Sequence, residues 1–238
     1  MTRVKQHGFT VIELMLAMGF ITMLLLGIAL TVIQVATTYN KGITTTEVNQ
    51  AGRALSTELS TAISQSGKFD INQFYHTTTT EGRLCLGQYS YLWNYAKAVQ
   101  TGVTPSTKLS GEPIYFVKVR DAAQEYCAMN PSLTQFLIGD VRSTDIVNSS
   151  ELLRPGDREL TMYQFDLQLD DVSKTGTGVD SLSGQELYTL SFTIGSGDIE
   201  AVEPDGTACL PPNDPNSNLP YCAIQQFELV IRAGNGVK

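Results

Sequence analysis

The 238-residue chain carries 16 Lys and Arg against 24 Asp and Glu, a formal net charge of −8. An acidic chain without a Lys/Arg run is a poor general binder of nucleic acid, whose affinity rests on neutralising phosphates. Two histidines, His7 and His76, and four cysteines without a CxxC pair leave little basis for a His-based triad or a common zinc module.

The N-terminus sets the first question. Arg3 and Lys5 precede Gly8 and Phe9, Glu13 follows, and residues 14–33 carry no charge. At about 1.5 Å rise per residue, that run crosses a bilayer core of roughly 30 Å. The leading positive charges keep the N-terminus cytoplasmic and place the rest outside. A cleavable secretory signal fits less well, because the run exceeds a normal h-region and no A-x-A pattern ends it. A plain anchor leaves Glu13 unexplained: a carboxylate at mid-membrane costs on the order of 2.5–3.5 kcal/mol, and less near an interface. Such a group needs a partner, and a chain cut between Gly8 and Phe9 offers one in the new α-amino group, its own or a neighbour's.

The basic leader, the segment GFTVIEL at 8–14 and the unbroken apolar helix together resemble the type IV prepilin family. The resemblance implies a pilin fold, with a long N-terminal helix whose C-terminal half packs on an antiparallel sheet. It implies cleavage after Gly8 by a prepilin peptidase, N-methylation of Phe9, and a role for Glu13 in docking the subunit into a filament. The implied partners are membrane lipid before assembly, an inner-membrane assembly platform and other pilin subunits. The implied location is the membrane, with the head outside, and then an extracellular filament. Where many members carry a helix proline, this chain has Leu30, and no proline precedes Pro105; any helix weakening falls to Gly19 and Gly27.

Beyond residue 38 an apolar stripe continues through Tyr39, Ile43, Val48, Ala51, Leu55, Leu59 and Ala62/Ile63. The helix is expected to stop near Ser66, with Gly67 as the left-handed residue after the cap. Residues 9–66 then form a rod of about 85 Å. The segment NQAGRALSTELSTAI at 49–63 also resembles minor pilins of the W type and pseudopilins of the J type. The resulting division is a leader (1–8), a transmembrane or filament-core half-helix (9–38), an amphipathic half-helix (39–66), a variable insertion (67–157) and an antiparallel sheet with a cysteine-flanked loop (158–238).

Within 67–157, PIYFVKV at 113–119 is expected to be a strand. In QYSYLWNY, the side chains of Tyr89, Tyr91, Trp93 and Tyr95 share one parity. On a strand they would make a row of rings, either a ligand surface, for glycan or, less suited to an acidic chain, for stacked DNA bases, or a packed face, and rows of this kind more often pack. Toward the C-terminus three segments alternate: 158–169 with Tyr163, Phe165, Leu167 and Leu169 on one face, 186–195 with Tyr188, Leu190, Phe192 and Ile194, and 223–233 with Phe227, Leu229 and Ile231. The Gly/Ser/Asp-rich stretch 170–184 reads as a loop.

Four cysteines allow three pairings, and free thiols remain an alternative. Cys209 and Cys222 flank LPPNDPNSNLPY, a loop with little reason to order itself, which favours Cys209–Cys222 and Cys85–Cys127. The oxygens of 203–208 and 213–218 suit turns better than a metal, and no metal site is assigned. With no nucleophile–base pattern and no phosphate loop, no enzyme activity and no cofactor are expected. The leading reading is a structural minor pilin-like subunit. The alternatives are a J-type pseudopilin of a type II secretion system and an adhesin at a filament tip.

Overall fold

A computed structural model describes residues 10–104, 106–107, 112–127, 149–153, 159–170 and 185–234. The expected rod is present as one helix, α1 (Val11–Gln65), unbroken through Gly19 and Gly27. At its C-terminus the cap residue Ser66 is extended, and its N–H donates to the Ala62 carbonyl at 3.0 Å. Gly67 is not among the residues of positive φ, so the expected left-handed cap is absent. The chain leaves the helix by straightening.

After α1 come a short helix α2 (Ile71–Phe74) and five strands of one antiparallel sheet: β1 (Tyr75–Thr77), β2 (Glu81–Leu86), β3 (Tyr89–Asn94), β4 (Phe116–Arg120) and β5 (Ser149–Glu151), paired in that order. A helical turn, α3 (Ala96–Thr101), follows β3. The β2–β3 hairpin turns through two residues, and Gly87 takes the positive φ of 61° that so tight a reversal needs. The described part of the middle region is therefore more regular than its sequence suggests. The strand expected at 113–119 exists, but starts three residues late, after Pro113, which cannot donate to a ladder.

The three C-terminal segments form a second antiparallel sheet, β6 (Leu160–Leu169), β7 (Glu186–Ser196) and β8 (Ile224–Ala233), in the order β6-β7-β8. The inward rows of β7 and β8 are as the alternation predicts. In β6 the register slips between Met162 and Gln164. That bulge moves Met162 into the main core and turns Tyr163 toward a separate cluster with Ala201, Val202 and Cys222. Placing Tyr163 on the face of Phe165 is thus corrected: one extra residue inverts the parity upstream of it. The expected loop at 170–184 lies almost wholly outside the described residues.

One core joins the helix and both sheets. Val48, Leu55, Leu59 and Ile63 of α1 meet Leu190, Phe192, Ile194 and Ile231, while Trp93 and Phe116 of the first sheet meet Phe165 of the second. Burying each such side chain contributes about 1.5–3 kcal/mol. The buried stripe on α1 runs Thr44, Val48, Gly52, Leu55, Leu59, Ile63. It differs from the apolar reading at Tyr39, which is 67% exposed, and at the small residues Thr44, which meets the Pro220 carbonyl, and Gly52, which meets the Phe227 ring. A Cβ at Gly52 would fall inside the Phe227 ring. Strand β8 lies along the helix: Phe227 sits at Gly52, and the Gly234 N–H donates to the Ser66 carbonyl at 3.0 Å. From Gly52 to Ser66 the helix rises ~21 Å, and from Phe227 to Gly234 a strand spans ~23 Å. The two run side by side in the same direction.

The protein is thus α+β: a long, N-terminally apolar helix whose C-terminal half packs on antiparallel sheet, an arrangement consistent with the pilin fold.

Candidate functional site

The first element of function is the free half of α1. An 18-residue window within it reaches a mean hydropathy of 2.5, and none of that window is buried by the head. Val11, Met15, Leu16, Phe20, Met23, Leu26 and Leu30 are all exposed, on every side of the helix. The few hydroxyls are satisfied locally: Thr22 Oγ1 donates to the Gly19 carbonyl and Thr31 Oγ1 to the Gly27 carbonyl, each at 2.8 Å. Among the described residues, the result is a helical cylinder whose threonine hydroxyls bond its own carbonyls, long enough to cross a membrane.

At its tip Glu13 is part of a capping box. Glu13 Oε2 accepts from the Thr10 N–H at 2.9 Å and from the Thr10 hydroxyl at 2.8 Å, while the Glu13 N–H donates to Thr10 Oγ1 at 3.4 Å. The carboxylate therefore has partners next to it in the chain, which reading the apolar run alone missed; the signal was Thr10, three residues before an acid at a helix start. Both partners contact one oxygen, and Oε1 has none among the described residues. Arg3, Lys5, Gly8 and Phe9 lie outside the described residues.

Both expected disulfides are present. Cys85–Cys127 ties β2 to the 3₁₀ turn Glu125–Cys127, and Cys209–Cys222 closes the proline-rich loop. The loop docks on α1 where the apolar run ends. The Asn40 side-chain amide donates to the Tyr221 hydroxyl at 3.1 Å, and the Thr44 hydroxyl donates to the Pro220 carbonyl at 3.2 Å. The acids of the two turn segments are occupied by their own backbone: Asp205 Oδ1 accepts from the Thr207 N–H and Asp214 Oδ1 from the Asn216 N–H.

The aromatic row is not a ligand surface. Tyr91 and Trp93 are fully buried, Tyr95 nearly so, and only Tyr89 is open, at 40%. Trp93 stacks on Phe116 at 5.2 Å and lies 4.3 Å from Phe165, joining the two sheets. Tyr95 shares a hydrogen bond with Thr77 at 2.7 Å. Their shared parity faces the helix and the second sheet, so the rings serve packing, and the row no longer supports a filament-tip adhesin.

Sequence reasoning missed one polar cluster. Glu58 of α1 accepts from Lys118 Nζ of β4 at 2.6 Å and from the Tyr91 hydroxyl at 2.8 Å, and Lys118 lies over the Tyr89 ring at 4.3 Å. Burial pushes the Glu58 carboxyl up, but the Lys118 and Tyr91 bonds together outweigh it and hold the group below its ordinary value. Burial, then the Glu58 bond, pushes the Tyr91 hydroxyl far up. The cluster locks helix to first sheet. Its sequence signal was a charge sitting between Leu55 and Leu59 of the stripe.

No known protein family, curated protein or solved structure matches this chain.

Proposed function

We propose that the chain is a structural subunit of a type IV filament, of the minor pilin kind, with no catalysis of its own. It is made as a precursor and cut after Gly8 by a prepilin peptidase, and Phe9 is then N-methylated. Residues 9–38 hold it in the membrane with the head outside. The same helix surface then packs against other subunits as the assembly platform extracts it.

The observation that carries this reading is the division of α1: one half locked into a folded head, the other apolar on every side and exposed among the described residues. Such a surface requires cover, first from lipid and then from like helices. Glu13 supports it, with one carboxylate oxygen left for a cation such as a neighbour's new α-amino group. A J-type pseudopilin of a type II secretion system shares this physics and differs in partners. The resemblance of residues 49–63 extends to both, and a deletion that stops exoprotein release rather than pilus-dependent behaviour favours the secretion role.

The test is the intact mass of membrane-extracted protein with and without a co-expressed prepilin peptidase. Loss of the first eight residues and gain of one methyl are expected, and Gly8→Leu is expected to block the cut. A chain that keeps Met1 in the presence of the peptidase overturns the reading.

A further inference from the structure

Residues 14–40 are free of charge, and Lys41 is the first ionised side chain after Glu13. At about 1.5 Å per residue this stretch is about 40 Å long, close to the 40–45 Å of a bilayer with its headgroup regions. If residues 14–33 fill the hydrocarbon, residues 34–40 cross the outer headgroup layer. The disulfide-closed loop is fastened at that level, by Tyr221 to Asn40 and by Pro220 to Thr44. Two tyrosines stand open there, Tyr39 at 67% and Tyr221 at 47%. Helix side chains tilt toward the N-terminus, which aims the Tyr39 ring back toward the bilayer. Between its cysteines the loop has no Lys or Arg and a single acid, Asp214, which is turned onto the Asn216 N–H at 2.9 Å. Such a loop brings a single carboxylate to an interface, one already bonded to its own backbone, and an aromatic ring with a polar tip partitions to that layer.

We infer that, before assembly, the Cys209–Cys222 loop and Tyr39 form a foot that rests on the headgroup layer of a zwitterionic phospholipid bilayer. The foot fixes the height and orientation of the head above the membrane. It is continuous with the apolar helix, and it rests on the membrane-span reading of that helix.

The full disulfide-bonded chain, reconstituted in phosphatidylcholine vesicles, tests this with lipids brominated near the glycerol or near the chain end. The native Trp93 is fully buried and supplies a constant background. The span control Leu26→Trp is expected to lose emission mainly to the deep bromines. Tyr221→Trp is expected to lose emission mainly to the shallow ones. Leu219→Trp, which leaves the Tyr221–Asn40 bond in place, is expected to do the same. If the control is quenched while the indoles at 221 and 219 are untouched at either depth, the helix spans and the foot is wrong. If none of the three is quenched, the span falls too. A blue shift at 221 that grows with the protein-to-lipid ratio, without quenching, assigns the loop to a second copy of the chain and overturns the lipid contact.

Discussion

Replacing Glu13 with glutamine removes the charge but keeps an acceptor three residues after Thr10, so the capping box survives. Glu13→Gln separates two roles that Glu13→Ala removes together. If the charge docks the subunit, both variants are processed normally and both fail to enter filaments, measured as the ratio of assembled to membrane-held protein. Normal assembly of Glu13→Gln would reduce the residue to a helix cap. Glu58 allows a second separation. A carboxyl lowered on folding adds stability that is complete above its unfolded pKa, near 4.5, and that is lost as pH falls through the lower folded value. Glu81 acts in the opposite sense, because burial holds its carboxyl above 4.5, so protonating it on acidification favours the fold. Glu58→Gln should cost about 1 kcal/mol at neutral pH, a small figure because both partners are partly in water. The same variant should flatten the loss of stability below pH 4.5, seen by denaturant unfolding across that window. Glu13 was legible in the sequence because a charge stands out in an apolar run. Glu58 was not, since its partner on β4 lies 60 residues away.

At the scale of elements, periodicity located α1, β6, β7 and β8, and its failures have physical causes. It counts apolar side chains, whereas the buried stripe also includes Thr44 and Gly52, whose small side chains leave room for the Pro220 carbonyl and the Phe227 ring. Gly52→Ala illustrates the cost. Alanine is the better helix former by up to about 1 kcal/mol, yet the added methyl occupies the space of the Phe227 ring. Displacing that ring should cost about 1–3 kcal/mol, so a net loss of stability is expected in denaturant unfolding of the detergent-solubilised chain. A neutral or stabilising effect would mean that Phe227 moves aside freely. The β6 bulge was illegible for a related reason: alternation assumes an unbroken ladder, and no glycine or proline marks the slip at Met162–Gln164.

For the whole molecule, the fold class and both disulfides were readable, but the five-stranded sheet between residues 75 and 151 was not. Its strands are short, and β3 buries side chains on both faces, Trp93 on one and Leu92 on the other, which erases the alternation that a half-buried strand shows. The two crosslinks brace different regions. In the loop-entropy account, losing Cys209–Cys222, 13 residues apart, costs about 3 kcal/mol, and losing Cys85–Cys127, 42 apart, about 4 kcal/mol. Each Cys→Ser pair should lower the unfolding midpoint accordingly, the second more than the first. The reverse order would show that native packing, rather than chain freedom in the unfolded state, governs the difference.

Because β8 lies beside α1 and advances with it, a pull along the rod loads that seam lengthwise. The knobs from Thr44 to Ile63 then resist together instead of parting one by one from an end. A shaft whose links are gripped in this way carries tension until the whole seam yields at once, so the head should stay folded under traction that would unzip a strand held only at its tip.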